Sequence, residues 1–255
     1  MPTARLGIEP GSSPLFKVPF DKNRVSMTAY PHSDDPYDVR LVCRWINLRS
    51  EAVRSCYGVH ELCVKRSGSS LLLRHDSTRR DRAATWVALF FQTWEKMVLF
   101  HCTFVSLKAR SPYTFAMHPD DYRLGNERRL FRERIVDDGY AHYLSVFRDE
   151  RTRALRLQAT VCEGELRKCP VWTAFVTYQS ESVDWLVHKD RYRVWIMDIH
   201  LYVFCDSYQE DHQRRQYGAF EIHFLEREAV YRFEDTFYPA PSSPGSSISG
   251  SEPAH

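Results

Sequence analysis

Residues 84–110 have the sequence ATWVALFFQTWEKMVLFHCTFVSLKAR, the strongest apolar segment of the chain. Its first part, Trp86 to Phe91, is an aromatic-rich apolar run of strand length, which predicts a buried β-strand. Thr93 suits the N-cap of a helix, because its hydroxyl can accept a hydrogen bond from an unpaired amide of the first turn. Pro112 ends the helix just beyond Arg110. The segment therefore predicts a strand that leads directly into a helix over residues 93–110.

At about 100° per residue, this helix has one wide apolar face and one polar stripe. The apolar face comprises Trp94, Met97, Val98, Phe100, Cys102, Phe104, Val105, Leu107 and Ala109. Leu99 interrupts the polar stripe, and His101 and Lys108 fall inside the apolar arc. The charges exclude a transmembrane span. We expect the apolar face to close a curled β-sheet.

Composition narrows the class of protein. A chain of 255 residues allows one large domain or two small ones. Its formal net charge of +2 argues against a nucleic-acid partner, and no hydrophobic signal core begins the chain. Seven cysteines are scattered without any CxxC pair, which indicates free thiols in a reducing compartment. We therefore expect an intracellular protein, cytoplasmic or nuclear, without a transmembrane segment.

Most of the basic residues are arginines. Only seven of the 35 are lysines: Lys17, Lys22, Lys65, Lys96, Lys108, Lys168 and Lys189. Arginine favours bidentate recognition of phosphate or carboxylate. Codon usage in a GC-rich genome explains the same bias without any ligand.

Turn and linker signals divide the chain into five parts. Residues 1–37 contain six prolines and no sustained periodicity, so an irregular or disordered lead-in is predicted. Residues 38–110 form a first sheet with its capping helix, and 111–129 a polar connection. Residues 130–238 form a second sheet unit, and 239–255 a low-complexity, disordered tail.

Both halves place hairpins before a strand and then a helix. In the second half, Asp137-Asp138-Gly139 predicts a sharp turn, residues 193–205 give the strongest strand signal, and residues 225–233 suggest a short helix. The predicted class is α+β with mainly antiparallel strands. We expect two sheets or partial barrels, each closed by a helix.

The order of elements at residues 58–110 is strand, hairpin, strand, charged loop, apolar strand with Trp86, and amphipathic helix with Trp94. This order, within residues 38–110, resembles a pleckstrin-homology-type domain, whose sheet ends in a capping helix. The resemblance implies a binding module for phosphoinositides or peptides, without catalysis. The family's phosphoinositide site uses a basic cluster on its first hairpin; here Lys65, Arg66 and Arg74 flank a Ser-Gly-Ser turn.

A basic loop is the first candidate site. Its arginines could clamp phosphate groups bidentately; they are Arg74, Arg79, Arg80 and Arg82. Asp76 and Asp81 dilute the positive field, and a solvated mixed-charge loop is the alternative explanation of the run. Ser77 or Thr78 could also be phosphorylated beside the arginines, which would order the loop.

A metal site is the alternative. Residues i and i+2 of a strand point to the same side, so four metal-capable side chains could converge if two strands pair; they are Asp198, His200, Glu221 and His223. They lie on the faces opposite the apolar ones, so an exposed cross-strand charge patch explains them as well.

The remaining signals favour binding over catalysis. His101 suits a buried neutral histidine rather than a catalytic base, and Cys102 suits the core. The sequence has no G-x-S-x-G, P-loop, G-x-G-x-x-G or H-E-x-x-H motif. We expect a binding or scaffold module without cofactor, whose partner is a protein segment or an anionic lipid headgroup. A metal-dependent hydrolase and a purely structural subunit of a larger assembly are the alternatives.

Overall fold

A computed structural model describes residues 12–32, 34–47, 49–75 and 84–238 of the chain. The first unit has seven strands in two antiparallel sheets, β1-β2-β3-β4 and β5-β6-β7. Its strands are β1 (Phe16–Phe20), β2 (Val25–Pro31), β3 (Val39–Ile46), β4 (Ala52–Gly58), β5 (Leu62–Ser67), β6 (Ser70–His75) and β7 (Thr85–Phe90). Helix α1 (Trp94–Arg110) follows directly.

The second unit also consists of antiparallel strands followed by a helix. Its strands are β8 (Glu127–Asp137), β9 (Tyr140–Asp149), β10 (Leu155–Val161), β11 (Pro170–Phe175), β12 (Leu186–His188), β13 (Arg193–Ile196), β14 (Tyr202–Val203) and β15 (Phe220–Phe224). Helix α2 (Arg227–Phe237) ends the unit. Strand β15 pairs with β8, so the strands join in one sheet of order β12-β13-β15-β8-β9-β10-β11-β14. The predicted α+β class with two helix-closed antiparallel units is confirmed.

Helix α1 begins and ends where its sequence predicts. The Thr93 side chain accepts a hydrogen bond from the Lys96 amide at 3.3 Å, which caps the first turn. The predicted apolar face lies against the first core, and Trp94, Met97 and Val98 are buried there with the strand residues Leu71 and Leu73. The helix is therefore the predicted lid on the first unit.

Two polar residues on that apolar face are accommodated differently. Lys108 is buried, and its Nζ lies 3.1 Å from the carboxylate of buried Asp121, so the two opposite charges are paired. Burial, with Arg156 nearby, lowers the pKa of His101 to about 4, and the ring is therefore neutral at physiological pH. Burial raises the pKa of the Cys102 thiol to about 12. His101 and Cys102 are core residues, as predicted.

The structure corrects the predicted strands at three places. The predicted irregular lead-in over residues 1–37 is wrong where the structure describes it, because β1 and β2 lie within it and complete the first unit. Strand β4 was not predicted. The predicted strand over 193–205 is interrupted, because only β13 and β14 are extended and residues 197–201 are irregular.

The predicted tail, residues 239–255, lies outside the described residues. The turn at Asp138 and Gly139 is confirmed, with φ values of 52° and 76°.

The two units share helix α1. Trp94 at its start packs edge-on against Phe175 of β11, with ring centroids 5.4 Å apart. A buried ion pair also joins the units: Arg66 of β5 lies 2.5 Å from the carboxylate of Asp149 at the end of β9. Arg66 further donates to the Gly125 carbonyl at 2.9 Å. The second sheet therefore contacts the first unit through the start of α1 and through the Arg66–Asp149 ion pair.

Candidate functional site

A groove runs between edge strand β1 and the N-terminal half of α1. Its volume is about 670 Å³, within the usual range for ligand pockets. The lining is mostly apolar and aromatic, with lysines at its margin: Phe16, Lys17, Val18, Pro19, Phe20, Asp21, Lys22, Asn23, Phe90, Phe91, Gln92, Lys96, Leu99, Phe100 and Thr103. We call it the β1–α1 groove.

The aromatic rings of the groove support one another. Phe20 meets Phe91 edge-on at 5.4 Å between ring centroids, and Phe91 contacts Phe100 at 5.6 Å. Phe16 meets Phe100 edge-on at 6.2 Å. Such pairs add about 0.5–1.5 kcal/mol each beyond their buried area. The groove is therefore formed before any ligand arrives.

One aromatic side chain at the groove is left to solvent. Phe90, the last residue of β7, is 72% exposed although its neighbour Phe91 is buried. A large exposed apolar side chain beside an apolar groove marks a contact surface. Burial of this ring by a partner would remove its apolar area from water at about 25 cal/mol per Å².

The margin of the groove is basic. Lys17, Lys22 and Lys96 line it and are exposed, against the single carboxylate of Asp21. Three of the seven lysines of an arginine-rich chain thus meet at one groove. This arrangement favours an apolar ligand that carries negative charge at its ends.

Sequence reasoning missed this groove because half of it lies in the predicted lead-in. The signal was present in FKVPF, where Phe16, Val18 and Phe20 alternate with polar or proline positions in strand fashion. Pro19 argued against a strand, yet proline is tolerated in an edge strand, and β1 is one.

The predicted anion site is only partly described. Arg74 lies near the end of β6, opposite Cys63, and its Nε is buried without a hydrogen-bond partner among the described residues. Arg79, Arg80 and Arg82 lie outside the described residues, so this site stays a prediction.

The predicted metal site requires two paired strands, and only one of its two residue pairs lies on a strand. Glu221 and His223 lie on β15 as expected, but Asp198 and His200 are exposed in the irregular segment after β13, and Asp198 has a φ of 52°. No group of three or more histidine, cysteine, aspartate or glutamate side chains that could hold a metal ion occurs in the described part of the chain.

Instead, Glu221 accepts hydrogen bonds from side chains of its own sheet and of the preceding loop. Its carboxylate accepts hydrogen bonds from Trp195 Nε1 and Arg215 Nη2, both at 2.9 Å. Burial raises its pKa, but these donors outweigh burial and hold the pKa below its usual value. The carboxylate is therefore ionised and paired at neutral pH.

Neither helix in the described residues is long and apolar enough to span a lipid bilayer.

Comparison with known families agrees with the duplicated architecture. Two sequence models, each described as a PH domain found in tandem in fungal proteins, match residues 1–126 and 128–242. Their boundary falls at the start of β8 and within the connection predicted at 111–129. No match was found among curated proteins or among solved structures. Since the two matches together cover almost the whole chain, it belongs to the family of fungal proteins that carry two pleckstrin-homology (PH) domains in tandem.

Proposed function

We propose that this protein is an intracellular scaffold whose N-terminal PH domain binds an apolar protein segment with acidic flanks in the β1–α1 groove. PH domains are generally binding modules, which fits a chain of two such domains. The observation that carries the proposal is the aromatic groove with an exposed Phe90 and a lysine margin. No disulfide joins the seven cysteines, all of which lie in the described part of the chain, and this fits a reducing compartment.

The mode of binding follows from β1. An edge strand can recruit a partner strand through its backbone, but Pro19 lacks an amide proton and interrupts such a ladder. The groove instead offers side chains on both walls, from β1 and from α1. We therefore expect an amphipathic segment that inserts apolar side chains between Phe90 and Leu99.

Peptide selection with the full chain tests this proposal. Random peptides displayed on phage and selected on the protein should be enriched in aromatic or leucine residues flanked by Asp or Glu. Phe90→Ala combined with Lys96→Glu should weaken the best peptide roughly tenfold or more, since it removes an apolar contact and reverses a margin charge. Affinity is measured by isothermal titration calorimetry.

Matched controls separate groove binding from general effects. Phe115, another exposed phenylalanine, and Lys65, another exposed lysine of the first domain, do not line the groove. Phe115→Ala with Lys65→Glu should leave the affinity unchanged. Peptide binding that survives the Phe90/Lys96 change contradicts the proposal. A concentration-dependent dimer abolished by that change would assign the groove to a second copy of the chain.

The basic loop provides a second, anionic binding function. We propose that Arg74, Arg79, Arg80 and Arg82 recognise a phosphoinositide-like headgroup, because guanidinium groups pair bidentately with phosphate oxygens. Reversing all four charges should abolish co-sedimentation with phosphatidylcholine vesicles that contain phosphatidylinositol bisphosphate. Unchanged sedimentation would refute the site.

A further inference from the structure

A cleft of about 970 Å³ lies between the end of α1 and two loops of the second domain. Its walls include Arg110 at the end of α1, Arg167 and Lys168 from the loop between β10 and β11, and Ser207 from the loop after β14. It shares no described residue with the β1–α1 groove. We call it the interdomain cleft.

Ser207 lies in a tight turn at the edge of this cleft. The Tyr208 amide donates to the Cys205 carbonyl at 3.1 Å, which closes the turn around Asp206 and Ser207. The Tyr208 hydroxyl donates to the buried carboxylate of Asp137 at 2.9 Å and so anchors the turn to the second sheet. Ser207 itself is exposed, and its Oγ lies 3.3 Å from the Cys205 Sγ, a weak hydrogen-bonding partner. The serine hydroxyl is therefore held in place and accessible to an enzyme.

The sequence around this serine is acidic. Residues 206–211, DSYQED, contain three carboxylates and no lysine or arginine. Asp206 and Asp211 are exposed, and Glu210 is partly exposed while it accepts from Arg214 Nε at 2.7 Å. Protein kinases select substrates by their charge pattern, and an acidic flank is complementary to a basic substrate groove. The segment therefore suits a serine kinase that prefers acidic sites.

The cleft offers cations to a phosphate on Ser207. Arg110 lies nearby: its Nη1 is 3.1 Å from the carboxylate of Asp206, and its Nη2 donates to the Phe204 carbonyl at 3.0 Å. The Asp206 side chain is 87% exposed, so this surface ion pair is weak. A phosphate has more charge and more acceptor oxygens than a carboxylate, and it would therefore be the stronger partner for Arg110.

The other charges of the cleft favour an added anion. Arg167 and Lys168 are both exposed there. With Arg110 they give three cations among the described lining residues, against the two carboxylates of Asp206 and Glu165. Lysine and arginine side chains are long, so all three cations can turn towards a phosphate at the edge of the cleft.

We propose that Ser207 is a phosphorylation site whose phosphate is bound by Arg110, Arg167 and Lys168. In the transfer, Ser207 Oγ attacks the γ-phosphorus of ATP, the bond from that phosphorus to the bridging oxygen breaks, and ADP leaves. The hydroxyl proton passes to the base of the kinase. The product carries close to two negative charges at neutral pH. Since Arg110 belongs to α1 and Ser207 to the second domain, the phosphate would join the two domains.

Phosphorylation of the full chain in vitro tests the site. The protein is incubated with ATP and casein kinase 2, a kinase that selects acidic sites, and modified residues are identified by tandem mass spectrometry. Ser207 should be phosphorylated, and Asp211→Asn should slow its modification roughly fivefold or more, because a recognition charge is lost. Ser182 is the internal control, an exposed serine followed three residues later by Trp185. An unmodified Ser207, or equal modification of Ser207 and Ser182, would overturn the assignment.

The cationic receptor is tested without any kinase, by incorporating phosphoserine at position 207 during biosynthesis. The midpoint of thermal unfolding should then rise by about 2–4 °C relative to the same chain with serine. Arg167→Gln with Lys168→Gln should remove most of this rise. The control is Arg128→Gln with Arg191→Gln, two exposed arginines that do not line the cleft, and it should retain the rise.

Each rise is the difference between the phosphorylated and unphosphorylated forms of one variant, so any effect of the substitutions themselves cancels. Phosphoserine at position 182 should produce no rise. The receptor is refuted if phosphoserine at position 207 leaves the midpoint unchanged or lowers it. Equal rises in the Arg167/Lys168 and Arg128/Arg191 variants would also refute it, since they would show a general charge effect.

Discussion

Replacement of Arg66 by methionine is expected to lower the free energy of unfolding by about 3–5 kcal/mol, the usual cost of removing one partner from a buried ion pair. The side chains of Arg66 and Asp149 are both 0% exposed, and their charged atoms lie 2.5 Å apart. Methionine fills similar space but leaves the Asp149 carboxylate without its cation. The measurement is urea unfolding at neutral pH, followed by tryptophan fluorescence.

The pH dependence of this effect identifies its cause. Burial raises the pKa of Asp149, but hydrogen bonds from Arg66 and Thr152 outweigh it and hold the pKa below its usual value. A carboxyl with a depressed folded pKa stabilises the protein above its unfolded pKa of about 3.9, and this contribution is lost as the pH falls through the folded pKa. The difference between wild type and Arg66→Met should therefore shrink in acid, where Asp149 is protonated in both proteins.

Two further variants make the Arg66 experiment decisive. Arg54→Met changes an exposed arginine of the same domain and should alter stability by about 0.5 kcal/mol or less. The double variant Arg66→Met with Asp149→Leu should recover part of the loss, since no buried charge remains unpaired. If Arg66→Met alone costs no more than Arg54→Met, the two domains are not joined by a buried ion pair.

The fold was predictable where its signals are local. The cap at Thr93, the face of α1 and the turn at Asp138-Gly139 depend on neighbouring residues, and each was found where the sequence placed it. Strand β1 was missed because proline normally marks irregular chain, and only its edge position makes Pro19 acceptable. Edge position is a property of the whole sheet, which no local pattern encodes.

The binding surfaces were less predictable for the same reason. Lys17 and Lys96 are nearly 80 residues apart in sequence yet line one groove. Arg110 and Ser207 are likewise distant in sequence yet line one cleft. Alternation failed at Asp198, where a positive φ ends the extended chain that the metal-site hypothesis required. Local runs of charge, such as the basic loop, are visible in sequence, but convergence of distant charges is not.

Trp94→Ala should lower the free energy of unfolding by about 3–5 kcal/mol, as much as Arg66→Met. It leaves a large cavity that the surrounding rings cannot fill. Trp94 is buried among residues of the first core and also packs on Phe175 of the second domain. The substitution therefore removes contacts with both domains. Urea unfolding at neutral pH again provides the measurement, and a second transition in the variant would show that the domains have become uncoupled.

Trp94→Phe is the informative comparison, because the indole Nε1 is buried without a hydrogen-bond partner among the described residues. Phenylalanine keeps an aromatic ring against Phe175 and removes that unpaired donor, so part of the packing loss is offset. We expect Trp94→Phe to lower the free energy of unfolding by less than about 1.5 kcal/mol, as conservative core substitutions usually do. Equal effects of the alanine and phenylalanine variants would mean that the edge-on contact with Phe175 contributes nothing. Helix α1 would then be a lid on the first domain only, and the second sheet would be held beside it by Arg66 and Asp149.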